Sequence, residues 1–298
     1  MTETKLTNRF FLFFLLYFLG ASLGLAVLPF FGGLSDEAYM LLAQPVCFLP
    51  PIALYFWITK KPVKMTLRLN RLSGANIILV CMFAVAVQPI MSLLSYATSL
   101  FFPNPVEQSV ASIEASGLAV ALLSVAVLPA VLEEISVRGI LLSGYQLLGK
   151  RKAALVSALL FGLLHMSLQQ LPYAVFVGFL FCFLVERTNS IWASILPHFI
   201  INATTVAAIF IQPDAATAVL AEEMTEGMTL FYLTGQALLT LPGLCLLLYL
   251  FLKINPAPVE PVLLQEDGTP YRERFLTPAM VVVFLTYLLF GILPSLYI

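Results

Sequence analysis

Apolar runs of sixteen to twenty-odd residues recur along the whole chain, separated by short polar stretches. About 20 such residues are needed to cross a hydrocarbon core of roughly 30 Å. Read against that length, the pattern predicts membrane spans near residues 10–31, 38–58, 75–101, 117–137, 153–168, 171–185, 190–211, 228–252 and 276–297. No segment shows the ten-residue alternation of apolar and polar positions expected of a barrel strand. Backbone N–H and C=O groups in lipid must then be satisfied within each segment, which an α-helix does. The prediction is an all-α, polytopic helical membrane protein of eight to nine transmembrane helices, in which the hairpin of the fifth and sixth spans is short.

Composition agrees with this. Of 298 residues, 60% are hydrophobic and 10% charged, and the mean hydropathy is +0.97. A soluble surface cannot be built from so few charges. The first span has too long an apolar run for a signal peptide and lacks a clear small-residue cleavage pattern after it, so it is expected to be retained. Cys47, Cys81, Cys182 and Cys245 all fall in apolar spans without metal-ligand spacing and are expected to be buried hydrophobes.

The positive charges give an orientation, because cytoplasmic loops collect Lys and Arg. With the N-terminus in the cytoplasm, inner segments take Lys5, Arg9, Lys60, Lys61, Lys64, Arg68, Arg71, Arg138, Lys150, Arg151, Lys152, Arg187, Lys253, Arg272 and Arg274, which is all 15 basic residues. The outer loops hold acids: Asp36, Glu37, Glu107, Glu114, Asp214, Glu222, Glu223 and Glu226. Nine spans with a cytoplasmic N-terminus and an outer C-terminus follow, in a single integral membrane domain over residues 1–298. Residues 254–275, with Pro256, Pro258, Pro261 and Pro270, form a polar cytoplasmic loop. Lys60 to Arg71 is expected to set topology and touch anionic membrane lipid rather than nucleic acid.

Six polar residues do not belong in such a chain. Of thirteen Glu and three Asp, only Glu133 and Glu134 lie within or at the end of an apolar span. A charge at a helix centre costs about 2.5 to 3.5 kcal/mol on insertion scales, so such carboxylates are usually partnered and functional. Glu134 and Arg138 are four apart and can pair on one helix face. Glu133 lies about 100° further round and is the freer carboxylate. Both histidines of the chain, His165 and His198, occur in predicted spans, and imidazole can carry protons or bind metal. His198 and Asn202, four apart, share a face. Pro129 and Pro197 each free a backbone carbonyl four residues earlier, and Gly162 allows close helix approach.

Other motifs carry less. Gly20-Ala21-Ser22-Leu23-Gly24 matches the G-x-S-x-G string but lies inside a span, where it fits small-residue helix packing better than a strand-turn-helix elbow. No H-E-x-x-H, Walker or dinucleotide pattern occurs, and Asp36, Asp214 and Asp267 fall in predicted loops, which removes a paired intramembrane aspartate site.

Glu133-Glu134-Ile135-Ser136-Val137-Arg138-Gly139 resembles the E-E-x-x-x-R motif of the CPBP intramembrane proteases. Phe161 to His165 resembles their F-x-x-x-H motif and His198 to Asn202 their H-x-x-x-N motif, in the same order. Glu186 to Trp192 resembles the R-T-G-S-hydrophobic-W lead-in. The resemblance covers about residues 117–211, the expected catalytic core, with Val137 in place of a frequent aromatic residue and Asn189 in place of a frequent Gly.

That family includes CAAX prenyl endopeptidases and bacterial members linked to bacteriocin processing and self-immunity. The resemblance implies an intramembrane endopeptidase in the bacterial cytoplasmic membrane, acting on a peptide or lipidated protein. It implies that Glu133 with His165 holds and deprotonates water, that His198 and Asn202 donate to the oxyanion, and that Glu134 and Arg138 are a supporting ion pair. In an alternative, His165, His198 and Glu133 are zinc ligands. The metal-free arrangement is slightly favoured. A proton-coupled transporter and a non-catalytic immunity or scaffold protein are the competing functions. The substrate could be a prenylated tail, a signal remnant or a peptide pheromone precursor.

Overall fold

The computed structural model describes residues 2–28, 34–211, 224–257 and 273–296, and these form helices joined by short loops, with no strand among them. The helices begin where hydroxyl side chains cap them. Thr2, Ser35, Ser73 and Thr225 each accept a hydrogen bond from the backbone N–H three residues on, satisfying one of the orphan donors of a first turn. The helices are α1 (Glu3–Val27), α2 (Asp36–Thr59), α3 (Gly74–Ala86), α4 (Gln88–Ser99), α5 (Pro105–Ala115), α6 (Leu118–Gly144), α7 (Lys150–Leu164), α8 (Leu171–Thr188), α9 (Trp192–Phe210), α10 (Glu226–Ile254) and α11 (Pro278–Ser295).

Among the described residues eight stretches are long and apolar enough to cross a membrane, α3 and α4 counting together as Gly74–Ser99. The predicted third span is therefore continuous in direction but interrupted at Val87, because Pro89 has no N–H to bond the carbonyl of Val85. The predicted fifth span is α7, whose 15 residues reach only about 22 Å. It nevertheless runs from one end of the bundle to the other. Tyr145, just before it, bonds Asn8 near the start of α1, whereas Gln169, just after it, bonds Ser95 near the end of α4. The first span begins at Glu3 rather than near residue 10, because Thr2 caps the helix upstream of Lys5 and Arg9.

Nearly all the basic residues gather at one end. Lys61 bonds Glu3, Arg68 bonds Glu186 at 2.7 Å, and Arg187 donates to the carbonyl of Asn255 at 3.2 Å. Asn76 and Asn255 exchange amide hydrogen bonds of 2.7 and 3.0 Å at this same end. Arg138 is a correction to the charge sorting: it is fully buried inside α6 and is not a loop residue. Arg272, Asp214, Glu222 and Glu223 lie outside the described residues, as do Asp267 and most of the polar loop, residues 258–272.

The glycines divide by use. A Cβ at Gly162 would sit 2.6 Å from Val175 Cγ2, and one at Gly178 would sit 3.2 Å from Ala158 Cα, so both permit the close packing of α7 on α8. A Cβ at Gly20 or Gly24 would meet nothing within 4 Å. The expected small-residue packing at those two positions is thus not made among the described residues, which place no neighbour on that face of α1. The cysteines are free, with Cys47 and Cys182 buried, Cys81 half-buried and Cys245 exposed.

Candidate active site

Helix α6 brings in the two carboxylates, and its backbone is irregular on both sides of them. Leu128 N–H bonds Leu123 O and Leu142 N–H bonds Val137 O, wide turns that bracket the regular stretch Leu128–Glu134. Such turns are rare in ordinary helices and recur at functional sites. Pro129 adds a second irregularity, since it leaves the carbonyl of Val125 without its usual donor. Asn202 Nδ2 donates to that carbonyl at 2.9 Å. One of its two amide hydrogens is therefore committed to the backbone of α6, and α9 is tied to α6 at that point.

Glu134 is fully buried, and one oxygen organises its surroundings. Oε1 accepts from Arg138 Nη1 at 2.8 Å and from His198 Nδ1 at 2.8 Å. The expected Glu134–Arg138 pair is present, and it also holds the histidine of α9. Arg138 Nη2 donates to the carbonyl of Gly178 on α8 at 3.2 Å. Its guanidinium lies 4.2 Å from the ring centroid of Phe161 and 5.3 Å from that of Phe181, a face-on cation contact that offsets its loss of water. One buried charge pair thus connects α6, α7, α8 and α9.

Glu133 has the opposite character. It is half-buried, and its Oε2 lies 3.9 Å from His198 Nε2. Its Oε1 accepts a long hydrogen bond, 3.4 Å, from Gln44 Nε2 of α2. A carboxylate only accepts, so the Gln44 amide must present nitrogen to it. Gln44 Oε1 is buried and has no hydrogen-bond partner among the described residues. Because Glu134 takes the hydrogen on His198 Nδ1, Nε2 is bare in the neutral ring and carries a proton only in the imidazolium.

His165 follows the last turn of α7 rather than lying within it. Its Nδ1 donates to the carbonyl of Phe161 at 2.9 Å, and the Phe161 ring packs edge-on against it at 4.9 Å. Phe161 also meets the His198 ring at 6.1 Å, so this one aromatic side chain contacts both histidines and Arg138. The expected close pairing of Glu133 with His165 is not made here: no carboxylate comes within 4.0 Å of His165, and the imidazole that Glu133 approaches belongs to His198.

His165 lines a cavity of about 930 Å³ together with Gln44, Ser124 and Val125. The cluster therefore lies beside a volume large enough for a segment of peptide. The zinc arrangement fits less well. No three His, Cys, Asp or Glu side chains converge to hold a metal among the described residues, although His198 Nε2 and Glu133 Oε2 face each other.

The lead-in before α9 is a clamp. Glu186 accepts from Arg68 and from Gln146 Nε2 at 2.8 Å, Ser190 donates to Asn70 O at 2.7 Å, and Ile191 N–H donates to Arg68 O at 3.1 Å. Asn189 lies in the left-handed region at φ 49°, a position that glycine takes without strain and asparagine tolerates. This fixes the start of the helix that carries His198 and Asn202.

Comparison with known proteins bears on the same segment. Residues 115–204 match the family described as type II CAAX prenyl endopeptidase Rce1-like. A protein of Bacillus subtilis (strain 168) named "Putative membrane peptidase YdiL" is 36% identical over 77 residues, 26% of this chain and 32% of that protein. The aligned stretch thus spans about a third of that relative's length. No solved structure matches. These matches bear out the CPBP resemblance for the segment that holds the site. The chain is an integral helical membrane protein whose residues 115–204 are similar to this family.

Gln44, Gly178 and Phe181 were not singled out from the sequence. Gln44 could have been, as an amide inside an apolar span; Phe181 and Gly178 are ordinary residues of a membrane helix and give no signal on their own.

Proposed function

We propose that the protein is an intramembrane endopeptidase that hydrolyses a peptide bond of a membrane-associated, lipidated or leader-bearing substrate. The observation that carries this is the division of work between adjacent carboxylates. Glu134 is spent on Arg138 and on orienting His198, while Glu133 stays partly exposed and accepts from Gln44, which together with His165 lines a peptide-sized cavity.

In this reading Glu133 takes the proton of a water held between it and His198 Nε2, and the hydroxide oxygen bonds the scissile carbonyl carbon. The remaining amide hydrogen of Asn202 donates to the oxyanion. The proton from Glu133 then passes to the departing nitrogen as the C–N bond breaks. His165, held by Phe161 O at Nδ1, keeps Nε2 for that transfer. Relative to the arrangement implied by the motifs alone, His198 replaces His165 as the close partner of Glu133. No step is routed through a metal, because three ligands do not converge among the described residues.

The CAAX activity named for the matched family gives the proposed reaction class. The test is reconstitution of purified protein in vesicles with candidate substrates. Product from the parent protein and none from Glu133→Gln supports a protease. Solute movement without product points to a transporter, and full biological function of Glu133→Gln points to a scaffold. Stoichiometric zinc that is lost in His165→Ala or His198→Ala would overturn the metal-free mechanism.

A further inference from the structure

We propose that the cavity receives a neutral to basic peptide segment from the non-cytoplasmic face of the membrane. This rests on the protease reading of the same site and names the side and the class of its substrate.

The cavity belongs to one end of the bundle. Its wall includes Ala26 at the end of α1, Asp36 at the start of α2, Pro103 after α4, Ser112 on α5, Gln170 before α8 and Ser295 at the end of α11. Each of these helix ends lies opposite the end where Glu3, Lys61, Arg68, Glu186, Arg187 and Asn255 are joined. Thr98 O–H to Gln169 O at 2.7 Å ties α4 to the hairpin at the cavity end.

Approach from the basic end is closed. Ile140, Leu141, Leu142 and Tyr145, between Arg138 and that end, are at most 1% exposed. By contrast Ser109 and Ser112, on the wall, are exposed. The sidedness follows from the charges. No Lys or Arg occurs between residues 72 and 137 or between 188 and 252, which include α3, α4, α5 and α9. The end rich in Lys and Arg is the cytoplasmic one by the charge rule, so the cavity opens on the other side.

The wall also selects chemistry. Ser109, Ser112, Ser124 and Gln170 offer hydroxyls and amides to an extended backbone, and Met40 and Ile113 offer apolar contact. Among the described residues of the wall, Asp36 carries the formal charge and no Lys or Arg is present. A Lys or Arg in the bound segment is therefore favoured and a Glu disfavoured. The occupant is a translocated juxtamembrane or leader segment, not a prenylated tail held in the cytoplasm.

The experiment uses full-length protein with Cys47, Cys81, Cys182 and Cys245 replaced by alanine and its cleavage activity checked. Ser112→Cys and Ser109→Cys report the cavity mouth, and Lys64→Cys reports the basic end. Membrane-impermeant maleimide should label the serine-position variants in intact spheroplasts and Lys64→Cys only in inverted vesicles. The reverse pattern, or no labelling of either mouth variant in spheroplasts, overturns the proposal. Labelling needs no turnover, so it reads access even if the protease reading fails. In vesicles, a Lys-flanked peptide should be cut faster than its Glu-flanked match by a factor of about five, narrowed by Asp36→Asn. Equal rates for the two peptides would remove the charge selection.

Discussion

Replacing Arg138 with methionine removes the counter-charge of Glu134 while keeping an unbranched side chain of similar reach. Glu134 would be left fully buried with one remaining hydrogen bond, that from His198 Nδ1. Breaking one partner of a buried pair costs about 3 to 5 kcal/mol, because the other charge stays out of water. Loss of the guanidinium over Phe161 is partly offset by a sulfur–aromatic contact of about 0.3 to 1.5 kcal/mol. The hydrogen bond from His198 Nδ1 remains, which places the effect toward the lower end of the range. At roughly 2 to 4 °C per kcal/mol, the midpoint of thermal unfolding in detergent should fall by on the order of 6 to 12 °C. Glu134→Gln combined with Arg138→Met removes both charges and leaves an amide that still accepts from His198. That double variant should melt above Arg138→Met alone, since an unpaired polar group costs about 1 to 3 kcal/mol rather than a buried charge. A double variant that melts at or below the single one would refute the assignment of Glu134–Arg138 as a buried ion pair.

Further substitutions separate support from chemistry. Asn202→Ala should lower stability by about 1 to 3 kcal/mol by orphaning Val125 O, seen as a lower melting point even where no cleavage is assayed. Gly178→Val should destabilise more than Gly20→Ala, since only the former would push α7 away, and thermal melts of both test it. Asn189→Gly should leave stability and cleavage near parental values, because the backbone there is already left-handed. Gln44→Leu should reduce cleavage with little change in melting temperature, as it removes a donor to Glu133 without leaving a buried charge.

The periodicity and charges of the sequence revealed the spans well because lipid demands long apolar runs and leaves few places for lysine and arginine. Arg138 was the exception. A charge one residue past the predicted span 117–137 looks like a loop residue until the helix is seen to continue to Gly144, with Arg138 covered by Phe161, Phe181 and Gly178. Spacing of four predicted the Glu134–Arg138 pair, since both residues ride on one helix. It could not say which histidine meets which carboxylate, because that depends on how α7 and α9 sit against α6. The lone amide Gln44 lies on a helix outside the motif-bearing segment, so only the fold brings it to Glu133. Asn202, expected to donate to the oxyanion with His198, is partly claimed by a carbonyl that Pro129 frees, a meeting that depends on the packing of α9 on α6.

Cleavage by Glu133→Gln tests the central claim most directly. Parent and variant would be reconstituted in vesicles with the same basic, leader-like peptide, and their melting points compared in parallel. The account predicts unchanged melting and a loss of cleavage of at least about 10²-fold, the contribution of a positioned general base. A variant that melts with the parent and cleaves at the parent's rate would contradict it.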